Sequence, residues 1–262
     1  MTHAEFGKRL DQLREAMTRG LAYYAVWKAL RLPDKGRVHL SLEEQNVVLG
    51  RFRGFFSPVG FALLDMALIQ FAKMFDTNQR TVSLTNLLRA AQRDSSLVPH
   101  VSPADLREIS REIKRSRSLR DSLKRRRDQQ LAHLDANPAP VDPLLTREFD
   151  KLAECVKSAF NTLSTGHDHN FFSLESLERT SEQDTAEVLD VLFKDIGRKQ
   201  QEYEDKMVSI GVEHVQREEA KLGIRLNTEA RQSTIRSLGL SEEQVKRVEK
   251  AYTSDKTASV QS

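Results

Sequence analysis

Apolar residues recur three or four positions apart through most of this chain, and that spacing constrains the fold more than any other feature. The N-terminal segment sets the pattern with Phe6, Leu10, Leu13, Met17 and Leu21. Such spacing places apolar side chains on one face of an α-helix. No alternating run is long enough to indicate a β-sheet, and the 262 residues include only 11 Gly and 7 Pro. We therefore predict an all-α fold, a helical bundle with additional C-terminal helices.

Capping residues and prolines divide the first half of the chain. Ser41 and Glu44 have the spacing of a capping box, and we predict one helix from there to about Phe75, with a kink or break at Pro58. Its segment 59–75 is the most apolar in the chain and is expected to be the central core helix. Five phenylalanines at helical spacing are predicted to lie in that core: Phe55, Phe56, Phe61, Phe71 and Phe75.

In the second half of the chain, the sequence marks the ends of the predicted helices less clearly. Ser102 and Pro103 begin a helix, predicted over residues 104–136, where a proline-rich segment ends it. A helix over 146–163 and a polar loop over 164–170 follow. We expect two domains: a helical domain, residues 1–175, and a helical extension, residues 176–262. Within the extension, the apolar pattern is less regular over residues 208–226. A short last helix is predicted from a cap at Ser241 to Tyr252, followed by a frayed tail.

The composition argues for a soluble, cytoplasmic protein that does not enter a membrane. The single cysteine, Cys155, excludes an internal disulfide or a cysteine-based metal cluster and is expected to be a buried, inert thiol. The N-terminus lacks the apolar core of a secretory signal. Segment 59–75 contains Asp65, Gln70 and Lys73, so we expect it to be too short and too polar to span a bilayer.

Positive charge is concentrated in one segment. Between Arg107 and Arg127, ten residues are basic and three are acidic, a net charge of +7, whereas the whole chain carries +3. A strip of this kind suits a phosphate backbone, because each contact releases condensed counterions. A charge run on its own is more often a solvated helix face, and both interpretations stay open on charge alone.

The basic segment ends in a pattern that can carry chemistry: Arg127, Asp128 and, after four further residues, His133. Histidine can accept and donate a proton near neutral pH, and arginine can hold a phosphate with two hydrogen bonds. Six positions along a straight helix correspond to about 600°, so Arg127 and His133 do not share a face. They converge only if the arginine side chain wraps, the helix distorts or a second copy supplies the partner.

The stretch from Leu123 to Asp135 resembles the signature of HEPN domains, in which an arginine, a polar residue and a few further residues precede a histidine. The Ala-His-x-Asp ending is most similar to the branch related to the U-type abortive-infection proteins of bacteria. Two other stretches fit that branch: residues 41–59, and residues 71–88 with Asp76 at the end of the core helix. The resemblance covers about residues 20–165.

The resemblance implies a HEPN-like helical bundle that forms a homodimer with two facing motifs, and a metal-independent endoribonuclease that uses no cofactor, often a toxin in phage defence. Arg127 would then bind the scissile phosphate, Asp128 would orient its neighbours, and His133 would act as general base or acid. Many relatives carry Asn at the position of Asp128, and a carboxylate there is mildly repulsive to phosphate. Four basic residues are expected to contact the RNA backbone: Arg120, Lys124, Arg125 and Arg126.

Other interpretations stay open. The domain could be a non-catalytic module that binds RNA or a protein partner through the basic helix. In a third interpretation, a cognate antitoxin, for which a nucleotidyltransferase is one candidate, holds it silent. Asp76 could simply cap a turn. His167 and His169 lack a third ligand at familiar spacing and are expected to lie in an exposed polar loop rather than to bind a metal.

Overall fold

The computed structural model describes residues 1–31, 40–128 and 145–260, and this part of the chain is all-α, as predicted. It contains ten α-helices and a 3₁₀ turn at Ser95–Leu97: α1 (His3–Arg31), α2 (Leu42–Arg51), α3 (Arg53–Met74), α4 (Leu84–Arg93), α5 (Pro103–Arg115), α6 (Arg117–Arg126), α7 (Thr146–Asp168), α8 (Leu174–Leu222), α9 (Thr228–Arg236) and α10 (Glu242–Val260). The chain forms two compact units, Met1–Asp190 and Val191–Ser262. The boundary predicted after residue 175 falls just after the start of α8 and stays a prediction.

The core of the first unit forms where α1 packs along α3. The predicted apolar face of α1 is confirmed, since Phe6, Met17 and Leu21 are fully buried. Gly20 of α1 lets the two helices approach closely: a Cβ there would lie 3.2 Å from a ring carbon of Phe71. Helices α4, α5 and α7 add their apolar faces to the same core. Burial of this continuous core is the main force that holds the unit together.

The predicted single helix over 42–75 is in fact two helices. Ser41 caps α2 with the expected capping box, but α2 ends at Arg51 and the break lies at Phe52 (φ −109°, ψ 33°), not at Pro58. Because α3 starts anew at Arg53, Pro58 falls near its N-terminus, where the missing N–H deprives only the Gly54 carbonyl of a ladder partner. The helix can therefore tolerate the proline without a break at that position.

The two halves of α3 differ in burial. Phe71 and Phe75 are buried, as predicted, but Phe55 and Phe61 are 62% and 64% exposed, so their assignment to the core was wrong. By length and composition α3 could cross a membrane, contrary to our expectation for residues 59–75, because the helix extends upstream to Arg53. A single such helix is weak evidence for a span, because the core helices of globular proteins can have the same length and apolar composition. The cytoplasmic location stays a prediction.

The helix predicted over 104–136 is also interrupted. Ser102 and Pro103 begin α5 as expected, but α5 ends at Arg115 and α6 begins at Arg117. At the junction, the Ser116 hydroxyl donates to the carbonyl of Ile113 (2.9 Å), a local bond that competes with the helical ladder. Residues 129–144, which include the rest of the predicted helix and the proline-rich segment, lie outside the described residues.

The loop predicted over 164–170 is helical as far as Asp168. Gly166 and His167 of α7 are buried: a Cβ on Gly166 would lie 2.9 Å from Val101, and His167 Nδ1 lies 2.8 Å from the Leu97 carbonyl oxygen. These tertiary contacts stabilise an extra turn that the polar sequence did not indicate. His169 then ends the helix in a left-handed conformation (φ 62°).

In the second unit, α8 continues without interruption to Leu222, so the irregularity predicted over 208–226 is wrong for most of that range. The Tyr252 hydroxyl of α10 donates to the buried Glu219 carboxylate (2.5 Å), which also accepts from the Leu226 N–H (3.0 Å). Ser241 caps α10 as predicted, but α10 reaches Val260 rather than stopping near Tyr252. The residues that make up the apolar core of this unit are Val215, Ile235, Val245, Val248 and Tyr252.

Candidate functional site

Arg127 lies at the C-terminal end of α6, against the end of α3. The backbone of Arg127 and Asp128 forms part of a π-helical turn, a local distortion that is frequent at functional sites. The fully buried Leu123, one turn earlier, anchors this end of α6 in the core. The Arg127 side chain is only 20% exposed. The guanidinium is therefore held in a defined position rather than extended into solvent.

Two carboxylates hold that guanidinium. Arg127 donates from Nε and Nη2 to Oδ1 of Asp128, at 2.7 Å and 2.6 Å. Its Nη1 lies 4.0 Å from Oδ2 of Asp76. One cation beside two anions gives this group a local net charge of −1.

Asp76 is itself fixed by the turn that follows α3. Its Oδ1 accepts from the Asn78 N–H (2.9 Å), and its backbone carbonyl accepts from the buried Ser83 hydroxyl (2.6 Å). Asp76 therefore closes a turn, as the sequence suggested, and also faces Arg127. Nothing in the sequence places Asp76 beside Arg127, although Asp76 belongs to one of the stretches that carried the family resemblance.

The arrangement limits how a phosphate could reach Arg127. Asp128 occupies the Nε and Nη2 edge with which an arginine grips a phosphate through two hydrogen bonds. Nη1 makes only the longer contact with Asp76. A phosphate can approach Nη1 directly, or can take the two-bond edge after the Asp128 side chain turns away.

The four residues predicted to contact an RNA backbone are not equivalent. Lys124 and Arg125 are exposed on α6 and available to a ligand. Arg120 is half-buried with its guanidinium 5.4 Å from the centre of the Phe75 ring, and its Nε has no hydrogen-bond partner among the described residues. Burial lowers the pKa of Arg120. Arg120 thus helps to pack α6 against the end of α3.

Arg126, the fourth member, is half-buried on the side of α6 near Asp65. Burial raises the pKa of the Asp65 carboxyl, and the nearby charge of Arg126 opposes that rise. Arg126 therefore stabilises the charged form of Asp65, besides any contact with a ligand.

Two carboxylates of the basic segment form ion pairs with three of its other arginines. Glu108 accepts from Arg111 (2.6 Å) and also pairs with Arg115 (3.5 Å), while Arg117 pairs with Asp121 (3.6 Å). These pairs are exposed and each contributes little to stability. Both carboxylates are already counted in the segment's net charge of +7, so the pairs lower the positive potential locally and leave the total unchanged.

His133, the predicted general base or acid, lies outside the described residues. Its approach to Arg127, within one chain or across a dimer, stays a prediction. Among the described residues, no cluster of three or more His, Cys, Asp or Glu could hold a metal ion. His167 and His169 do not lie together in an exposed loop, because His167 is buried in α7 against Leu97.

Comparison with known proteins identifies a family but adds no relative of known structure. The HEPN family model described as AbiU2 matches residues 3–188, about seven-tenths of the chain. No curated protein and no solved structure matches the chain. The matched range includes Asp76, Arg127, Asp128 and His133.

Proposed function

Because the chain belongs to the AbiU2 family of HEPN domains, we propose that it is a metal-independent endoribonuclease whose active site is completed in a homodimer. The observation that carries this proposal is that the family match spans the whole Arg127–His133 motif. The geometry at Arg127 supports it, since the mostly buried guanidinium is held in a fixed position and its Nη1 can meet a phosphate directly.

The proposed reaction uses side chains alone. A motif histidine, His133, accepts the proton of the ribose 2′-hydroxyl, whose oxygen then attacks the adjacent phosphorus. The bond from phosphorus to the 5′-oxygen breaks, and that oxygen takes a proton from a general acid, for which the second copy of the motif provides the matching histidine. Arg127 offsets the charge on the phosphate oxygens. The products are a 2′,3′-cyclic phosphate and a 5′-hydroxyl.

In the biological setting that the family name suggests, this activity would act as a toxin in abortive infection, with RNA as the target. A cognate antitoxin, for which a nucleotidyltransferase is one candidate, would then be a second partner. The exposed Lys124 and Arg125 next to Arg127 supply backbone contacts for RNA.

A second candidate function is an RNA-binding module without cleavage. It is favoured by one observation, the pairing of Arg127 with Asp128 at 2.6 Å and its proximity to Asp76. A guanidinium paired with carboxylates in this way stabilises charge on a phosphate less than an unpaired one does.

The decisive experiment is cleavage of RNA by the purified full chain in EDTA, with the product ends mapped. The variants are Arg127→Ala and His133→Ala, and the control is Arg107→Ala, which removes an exposed arginine of α5 away from the motif. We expect each motif variant to lose at least about a hundredfold in rate, because each removes a proton carrier or a charge that acts in the transition state. The control should retain the full rate.

The possible outcomes separate the two candidates. Cleavage in EDTA that leaves cyclic phosphate ends and is lost in both motif variants supports the nuclease. RNA binding without cleavage by a folded, dimeric wild-type protein would favour the binding module. Cleavage that is unchanged in both motif variants would place the active site elsewhere.

A further inference from the structure

A separate depression lies in the first unit, away from α6. It is open to solvent, encloses about 300 Å³ and is formed by the start of α1, the exposed side of α4 and the turn over residues 79–83. Three arginines line it: Arg9 from α1, and Arg89 and Arg93 from α4. No sequence pattern indicates this site, because the three arginines are not adjacent and only the packing of α1 on α4 brings them together.

The charges around the depression are unbalanced. Helix α4 contains no acidic residue, and Arg89 and Arg93 are one turn apart, where like charges repel. Among the described residues no carboxylate forms an ion pair with either of them. Arg9 pairs with Glu5 (2.7 Å), and Asp94 at the rim accepts hydrogen bonds from the Ser96 N–H (3.1 Å) and hydroxyl (2.6 Å). A concave surface lined mainly by one sign of charge concentrates the field and attracts an anion.

A network of amide hydrogen bonds fixes one of these arginines. Arg89 is half-buried, and its Nη1 donates to Oδ1 of Asn86 (3.3 Å). The Asn86 Nδ2 in turn donates to the carbonyls of Asn78 (2.7 Å) and Thr81 (3.0 Å) in the turn. Asn86 thus orients Arg89 without neutralising it, an arrangement that leaves its other N–H groups available to a ligand.

The rest of the lining combines polar residues with an apolar wall. The polar residues are Gln79, Thr81, Ser83, Asn86 and Asp94. The apolar wall consists of Met1, Val82 and Ala90 with the buried Leu87 and Leu97. A bare phosphate needs no such wall and fills only a fraction of the volume. Small-molecule sites combine a mostly apolar lining with a few placed polar groups, and about 300 Å³ is at the lower end of their size range. Both the size and the apolar wall suit a phosphate group with an attached ring system.

We propose that this depression binds a nucleoside phosphate, with the phosphate between Arg89, Arg93 and Arg9 and the nucleoside against the apolar wall. Arginine suits this ligand because its planar fork matches phosphate oxygens in pairs. The nucleotide is either free or part of an RNA strand. The site shares no residue with the Arg127 motif, so the proposal does not depend on ribonuclease activity.

Calorimetric titration of the full chain with AMP tests the site, with adenosine and inorganic phosphate as partial ligands. We expect AMP to bind more tightly than either part. The variant Arg89→Gln/Arg93→Gln should weaken AMP binding at least about tenfold, because it removes two charged hydrogen-bond donors. The matched control, Arg107→Gln/Lys114→Gln, removes the same charge from exposed residues of α5 and should leave the affinity unchanged. The single variant Arg93→Gln, at an exposed position, gives a second test if the double variant is unstable.

A 5′-phosphorylated RNA hexamer distinguishes the two sources of the ligand. Binding of AMP, or of the hexamer alone, that is lost in the α4 variant supports the site, and the second result assigns it to RNA. Arg127→Ala should leave AMP binding unchanged, which separates this proposal from the nuclease. The proposal would be overturned by the absence of binding of both AMP and hexamer, by phosphate binding as tightly as AMP, or by equal affinity in the wild type and the α4 variants.

Discussion

The arginines of α6 and those of α4 differ in how closely carboxylates surround them. In α6, Arg127 is paired with Asp128 and lies near Asp76, and Arg120 is packed on Phe75. In α4, no carboxylate of the described residues pairs with Arg89 or Arg93. The sequence drew attention to the first group, where basic residues are dense, and not to the second. The number of basic residues along a helix is therefore a poor measure of the positive charge available to a ligand.

The difference has a simple structural cause. Helix α6 packs against α3, and the acidic residues Asp65 and Asp76 of that region meet its arginines. Helix α4 presents its arginines to the start of α1, which contributes another arginine, Arg9. The carboxylates that the fold places nearby decide which cations remain available. Four predictions test this comparison.

The largest expected effect concerns Cys155, whose thiol lies in the same partly buried region as Arg120. Burial raises the pKa of Cys155 to about 11, and the charge of Arg120 opposes that rise. Since only the thiolate reacts, we expect alkylation by iodoacetamide at pH 8 to be about a hundredfold slower than for a thiol of pKa 9.0. The rate should rise about tenfold per pH unit between pH 7 and 10. Mass spectrometry gives the alkylation rate, and urea-unfolded protein serves as the reference. Equal rates in the folded and unfolded protein would show that Cys155 is open to water.

The next prediction compares two basic residues of α6 that the sequence treats alike. Arg120→Ala removes the side chain that packs on Phe75 and should lower the free energy of unfolding by about 1–2 kcal/mol. Lys124→Ala removes an exposed side chain and should change it by less than about 0.5 kcal/mol. Urea denaturation measures both values. Equal losses would mean that Arg120 is not part of the packing between α6 and α3.

Local sequence signals predicted those parts of the fold that local interactions determine. Ser41, Ser102 and Ser241 cap helices as expected, because a cap depends only on residues three positions away. The last turn of α7 was missed, because Gly166 and His167 favour a loop until Val101 and Leu97 pack against them. The break at Phe52 was misplaced for a similar reason, since proline alone does not decide where a helix ends.

In the candidate site too, the features that depend on neighbouring residues could be predicted and those that depend on tertiary contacts could not. The motif containing Arg127 and Asp128 is contiguous in sequence and could be recognised directly. The approach of Asp76 to Arg127 joins residues about fifty positions apart, and the pocket on α4 requires Arg9 of α1 to lie near Arg89. Neither can be inferred from spacing along one helix.

The third prediction removes a carboxylate from the α6 group. Asp128→Asn should strengthen binding of a 2′-O-methylated RNA, which resists cleavage, by about three- to tenfold, because a charge that repels phosphate is lost. Asp76→Asn should act less, since Asp76 lies 4.0 Å from Arg127. Asp121→Asn is the matched control, as it removes the same charge from an exposed position of α6. Fluorescence anisotropy measures the affinities, and weaker binding by Asp128→Asn would mean that Asp128 orients Arg127 for RNA rather than competing with it.

The smallest expected effect applies the same test to the α4 pocket and rests on its proposed ligand. Glu5 is the carboxylate that pairs with Arg9 at the rim, and Glu5→Gln should release that arginine and tighten AMP binding about twofold. Glu15→Gln removes an equivalent carboxylate, paired with Arg19 four residues further along the same helix but not part of the pocket, and should have no effect. Calorimetry at low ionic strength resolves a change of this size, and 0.5 M salt should abolish it, because screening weakens interactions between exposed charges. If Glu15→Gln tightened binding as much as Glu5→Gln, the affinity would follow the net charge of the protein, and the local placement of carboxylates would not distinguish α4 from α6.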